Sequence, residues 1–152
     1  MQLIPAARAV NDAMPLKVAD LLKDALKEEG KSVEGARIAI LGYAYLEESD
    51  DTRNSPSALL LENLKTEGAE VFIHDPYVPE FQKSILDNVD QCDAVIMMVA
   101  HQAYRDLDLK ELGSRLRTLI LIDGRRIIDP MLAQKAGLSY YGIGFGRSKF
   151  AR

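Results

Sequence analysis

A single cysteine, Cys92, stands in 152 residues, so no internal disulfide can form and a reducing cytoplasm is the expected setting. No apolar run approaches the roughly 20 residues that a membrane span requires. Met1-Gln2-Leu3-Ile4-Pro5 carries neither the basic stretch nor the small-residue cleavage site of a secretory leader. Positive charge is not in excess either: 19 Lys and Arg stand against 23 Asp and Glu, a net charge of -4. Phosphate backbones select clustered cations, so a general nucleic-acid binder is not expected, although a local basic pocket for a small phosphate ligand is compatible with this balance. Internal repeats and low-complexity tracts are also missing. What is present, 47% hydrophobic and 28% charged residues, is the profile of a soluble globular protein long enough to bury most of its unfolded surface.

Two hydrophobic periods divide the chain. Over residues 3–29, Leu3, Ala7, Val10, Met14, Val18, Leu21, Leu22, Ala25 and Leu26 recur at three- and four-residue spacing, which predicts a long amphipathic helix. Pro15 interrupts it, so a kink or restart is expected there, and Gly30 supplies a stop. Beyond the polar stretch 31–35, short apolar runs at 37–45, 71–74, 94–99, 119–122 and 139–143 read as strands. Helical patterns at 56–67, 79–86, 108–116 and 130–136 lie between them, the first opened by Ser55 as N-cap and Pro56 at the first helical position. Apolar strands alternating with helices imply a parallel sheet covered on both faces. The expected fold is a doubly wound, mainly parallel five-stranded Rossmann-like α/β domain at 35–152, preceded by a helix and linker at 1–34.

In such sheets ligands bind beyond the carboxyl ends of the strands. Most of the unusual polar residues fall there: 42–54 after the first strand, Asp75-Pro76-Tyr77 after the second, Ala100-His101-Gln102 after the third, and Asp123-Gly124-Arg125-Arg126 after the fourth. The glycine-containing stretch 142–147 follows the fifth. His101, facing this edge, is a candidate ligand-binding residue. The first loop carries only Gly42 where a dinucleotide fingerprint places three glycines, so a pyrophosphate cradle is not expected in this domain. No metal-ligand spacing occurs among its acids.

The blocks Ile38-Ala39-Ile40-Leu41-Gly42-Tyr43-Ala44-Tyr45, Asp51-Thr52-Arg53-Asn54-Ser55-Pro56, Gly68-Ala69-Glu70-Val71 and Asp75-Pro76, with Asp123-Gly124-Arg125 further on, resemble the C-terminal domain of the UDP-glucose/GDP-mannose dehydrogenase family. There the usual pattern is L-G-x-A-F-K, D-T-R-x-S-P, G-A-x-V, D-P and D-G-R. The segment Ala7 to Asp12 is similar to the family's helix linking its two domains. The resemblance covers nearly the whole chain. It implies a part of an enzyme that oxidises the C6 alcohol of a UDP-hexose or UDP-N-acetylhexosamine to a carboxylate with two NAD. It also implies that NAD sits mainly on an N-terminal domain and that a cysteine thioester forms in a central region.

Neither the glycine fingerprint nor the surroundings of that cysteine occur here, so this chain alone is expected to be inactive, with Cys92 a small packing residue. The resemblance places Arg53 toward NAD and Arg125 on the sugar nucleotide. Tyr45 and Leu46 occupy the slot of the family's F-K pair, and Leu46 replaces a lysine that would touch substrate. Arg8 and Asn11 lie on the linking helix, which in the family forms a dimer core and sends residues toward the partner's substrate. The expected partners are therefore a UDP-sugar, an N-terminal NAD-binding domain and a second copy, and deletion of 1–30 is expected to leave a folded monomer. A free-standing nucleotide-sugar-binding or regulatory domain is the competing reading.

Overall fold

In the computed structural model of this protein, the apolar runs become strands β1 (Arg37–Leu41), β2 (Glu70–His74), β3 (Ala94–Met97), β4 (Ile120–Asp123) and β5 (Ser139–Gly142). A short β6 (Gly146–Arg147) follows. The helices are α1 (Ile4–Glu28), α2 (Pro56–Thr66), α3 (Ile85–Val89), α4 (Gln102–Arg105), α5 (Leu109–Arg115) and α6 (Pro130–Lys135). The structure describes residues 4–44, 47–49, 52, 55–143 and 146–147, with side chains described only between 14 and 143.

The sheet order is β2-β1-β3-β4-β5-β6. The first five strands are parallel, and β6 pairs antiparallel to β5 as an added edge that the sequence pattern does not announce. The expected doubly wound Rossmann-like α/β sheet is present. Both faces are covered, which is why the strands read as unbroken apolar runs rather than alternating ones. Ile38, Ile40, Ala94, Ile96, Ile120 and Ile122 face one layer, shared with α1 and with Leu60 and Leu64 of α2. Ala39, Leu41, Val95, Met97, Leu121 and Tyr140 face the other, shared with Val89, Leu112 and Ala133 of α3, α5 and α6.

The long first helix contributes directly to that core. Val18, Ala19, Leu22, Ala25 and Leu26 form a stripe on one face and are at most 2% exposed, packed with the sheet residues of the first layer. Lys23 crosses to Glu67 at 3.0 Å, tying α1 to the end of α2. The core therefore runs across the sequence seam between 34 and 35. Helix α1 is also unbroken at Pro15, where a restart is expected from sequence. Proline removes one helical donor, and here the turns on either side continue through a buried residue next to the core-facing stripe.

Two boundaries differ from expectation for local reasons. Strand β1 stops at Leu41 rather than at 45, because Gly42 turns the chain with φ +105°. The helix expected over 79–86 is a 3₁₀ turn at Pro79–Phe81 followed by α3, with Ser84 extended between them (φ -57°, ψ 137°). The Phe81 carbonyl is drawn back to accept from the Asp75 amide at 2.8 Å, which ends the turn.

At the amino edge of the sheet, Asp93 acts as a staple. Its carboxylate, 1% exposed, accepts from the Arg37 amide (2.9 Å), Arg117 Nε and Nη2 (3.1 and 2.7 Å), Thr118 Oγ1 (2.7 Å) and Lys31 Nζ (3.3 Å). Burial alone would raise its pKa, but these donors outweigh it and hold the carboxyl far below the usual range. One side chain thus joins the linker before β1, the start of β3 and the entry to β4.

Candidate functional site

A sheet of order 2-1-3-4-5 changes winding direction between β1 and β3, and ligands gather beyond the carboxyl ends at that point. Gly42 sits there against Val99: a Cβ at position 42 would lie 2.6 Å from Val99 Cβ and 2.7 Å from its amide nitrogen. The chain after β1 thus passes directly over the end of β3, and only glycine fits.

The loop that follows is anchored at both ends. Ser57 Oγ donates to the Gly42 carbonyl at 2.7 Å and Ser55 Oγ to the Tyr43 carbonyl at 2.6 Å, while Ser55 also caps α2. Asp75, fully buried at the end of β2, accepts from the amides of Tyr43 (2.7 Å) and Ala44 (2.8 Å) on Oδ2 and from Tyr77 (2.8 Å) on Oδ1. Burial pushes its carboxyl up, but those amides and the His101 ring prevail and leave it below the ordinary value. Asp75 is therefore an internal anchor, turned away from any ribose. The same bonds decide the fit of a dinucleotide. The amides of Tyr43 and Ala44 donate into Asp75, and those of Ser57 and Ala58 into the Ser55 hydroxyl, so these described donors beside β1 and at the start of α2 are engaged and not turned to a pyrophosphate. The described residues do not fit an NAD cradle at this turn.

His101 lies in the turn after β3, immediately before α4, and is fully buried. Its Nδ1 accepts from the Glu48 amide at 2.8 Å, and its Nε2 stands 3.0 Å from Asp75 Oδ2, so Nε2 carries the proton and donates. The Tyr77 ring packs on it with centroids 4.9 Å apart. Glu48 closes the circuit: its carboxylate accepts from Tyr77 OH at 2.6 Å and from the Gln102 amide at 2.9 Å, which hold its pKa below the ordinary value.

Beyond β4, each residue of Asp-Gly-Arg has a separate task. Asp123 is fully buried and shapes the turn, accepting from the amides of Arg125 (3.1 Å) and Ile128 (2.8 Å) and from Tyr140 OH (2.9 Å). Gly124 permits close approach, since a Cβ there would meet the Met97 carbonyl at 2.8 Å. Arg125 is left exposed on this rigid turn, with no hydrogen bond or ion pair to its side chain among the described residues.

Comparison with known proteins adds the deciding observation. Residues 39–130 match the model of the UDP-glucose/GDP-mannose dehydrogenase family, UDP binding domain. The chain belongs to this family. It is 36% identical over 144 residues to the UDP-N-acetyl-D-mannosamine dehydrogenase of Pyrococcus horikoshii, covering 95% of this chain and 34% of that protein. It is 28% identical to the UDP-glucose 6-dehydrogenase of Rhizobium meliloti, with 95% of this chain and 35% of that protein covered. Among solved structures, an NDP-N-acetyl-D-galactosaminuronic acid dehydrogenase from Methanosarcina mazei superposes with a TM-score of 0.88 at 33% identity, over 96% of this chain and 32% of that one. The chain spans about a third of the length of the curated relatives it matches.

Of the candidate site residues, Arg125, which the family pattern singles out, stands at the carboxyl edge of the UDP binding domain fold, and His101, marked by its place after the third strand, lies buried beneath the same edge. Tyr45, Leu46 and Arg53 belong to the loop after β1 but lie outside the described residues, as do the side chains of Arg8 and Asn11 on the first half of α1. Sequence reasoning placed Tyr77 and Asp123 at strand ends and Glu48 in the loop after β1 but gave their side chains no role; those roles come from partners elsewhere in the chain. Among the described residues no cluster of His, Cys, Asp or Glu is arranged to hold a metal ion, and no helix is long and apolar enough to cross a membrane. Cys92 lies at the opposite edge, fully buried, its thiol pushed up to about 11 by burial. That environment suits packing and not nucleophilic attack.

Proposed function

We propose that this chain is the C-terminal nucleotide-sugar-binding part of an NAD-dependent UDP-sugar 6-dehydrogenase, an enzyme that oxidises the C6 alcohol of a UDP-hexose or UDP-N-acetylhexosamine to the uronic acid. On this reading the chain binds substrate and contributes no catalytic group, while NAD is held mainly by a separate N-terminal domain, all within the cytoplasm. Residues 35–152 form the binding domain and 1–34 serve as linking and dimerisation segment. Arg125, Tyr45 and Leu46 meet the sugar nucleotide, and Arg53 reaches toward NAD. Arg8 and Asn11 address the site of a second copy.

The observation that carries this reading is Arg125: an exposed guanidinium, unengaged by described residues, on a turn fixed by Asp123 and Gly124. A planar fork of donors suits a diphosphate. Titration calorimetry with UDP tests it. A charge-assisted contact contributes roughly 1.5–3 kcal/mol, so Arg125→Ala is expected to weaken UDP binding about ten- to a hundredfold. Equal affinity of parent and variant would remove the substrate from this edge.

Support for a homodimer comes from the groove between α1 and α2, lined by Pro15, Leu16, Leu59, Glu62, Asn63 and Thr66. Leu16 and Leu59 are 59% and 55% exposed there, a pairing of large apolar side chains that water disfavours. Sedimentation of the parent as a dimer and of the Leu16→Glu, Leu59→Glu double variant as a monomer is the expected outcome. A parent that stays monomeric at high micromolar concentration contradicts it.

A further inference from the structure

We infer that His101 is a positioning residue for the nucleotide-sugar site, acting through Glu48 on the loop after β1; the inference rests on the binding function proposed above. His101 itself is fully buried and touches protein on both ring nitrogens, so its effect on a ligand is indirect.

The geometry joins three strand ends in series. Asp75 is fixed at the end of β2 by three backbone amides. The ring of His101, in the turn after β3, receives that fixed position through Nε2 and passes it on through Nδ1 to the Glu48 amide in the β1 loop. Glu48 needs the restraint, since its φ of +55° is a conformation that residues with a side chain rarely adopt unaided. Its carboxylate then ties the loop a second time, to Tyr77 OH and to the Gln102 amide at the start of α4. Residues 47–49, held at Glu48 from two directions, are thus fixed at the carboxyl edge where the ligand is proposed to bind, whereas their release leaves only a fraction of molecules in the binding-competent form.

The two ring nitrogens can be separated by substitution. An asparagine amide oxygen mimics the acceptor at Nδ1, and a glutamine amide nitrogen mimics the donor at Nε2. His101→Asn therefore preserves the link to Glu48, and His101→Gln preserves only the link to Asp75, which retains its three backbone donors in both. In the full chain, His101→Gln is expected to weaken UDP binding about tenfold and to speed hydrogen exchange at the Glu48 amide. His101→Asn is expected to stay within about twofold of the parent in affinity, with the two variants melting alike. Equal affinity and equal Glu48 exchange in the two variants overturn the inference. If the parent binds no UDP, the functional reading falls separately, and the exchange rates alone judge the latch. Should either variant fail to fold, Glu48→Asn tests the loop from its exposed side: asparagine tolerates the positive φ but cannot reach Tyr77 and Gln102. Unchanged UDP affinity and unchanged exchange around residue 48 would then sink the proposal.

Discussion

Deletion of residues 1–30 will leave a chain that does not unfold cooperatively. From the sequence, this helix reads as a detachable linker, but its second half is a wall of the core. Val18, Leu22 and Leu26 are each 0% exposed, and burying such side chains contributes about 1.5–3 kcal/mol apiece. Three of them supply on the order of 6 kcal/mol, which rivals the whole net stability of about 5–15 kcal/mol expected of a domain. The deletion also bares Ile120 and Ile122 of β4 on the sheet face that α1 packs against, inviting aggregation. Circular dichroism through a urea titration is the check. A sharp transition with a normal slope would show that the remaining residues fold alone.

Asp93→Ala is expected to destabilise the protein by about 3 kcal/mol, because breaking a buried charge network strands its partners. The lower end of the usual range applies, as Arg117 and Lys31 are 45% and 40% exposed at the side chain and remain hydrated after the loss. For a chain of this size the melting temperature falls by roughly 6–12 °C. The pH dependence gives a second signature. The folded pKa of Asp93 is depressed, so its stabilisation is complete above the unfolded carboxyl's pKa of about 3.9 and is lost as pH falls below it. Parent and variant should therefore differ fully at neutral pH and converge in acid. A constant difference down to the acid limit would assign the effect to packing instead of charge.

The central strands were legible because burial on both faces makes them short apolar runs, as at Ala94–Met97 and at the first three residues of Ile120–Asp123. Helix α2 was legible because Ser55 and Pro56 are local start signals that need no tertiary partner. The site was legible in part. Arg125 could be marked from Asp-Gly-Arg alone, but the reason it projects lies in Asp123, whose partners Ile128 and Tyr140 are set by the fold. His101 read as a residue facing the ligand, and its buried, indirect position was hidden because its partners, Asp75 and Glu48, are 26 and 53 positions away. The destination of the α1 stripe was equally hidden: periodicity reports that a face must be covered, not what covers it.

The placement of α1 also sets an order of assembly. Helix α1 lies against β4, a strand made roughly a hundred residues later. Until β4 emerges, the apolar stripe from Val18 to Leu26 has only part of its final surface, and an amphipathic helix without that surface is marginal in water. Docking of the two is a contact of long sequence separation, the kind that slows folding because the loop between must close first. Helix α1 is thus locked fully in place only after β4 is made, and until then the nascent chain carries its apolar stripe partly uncovered.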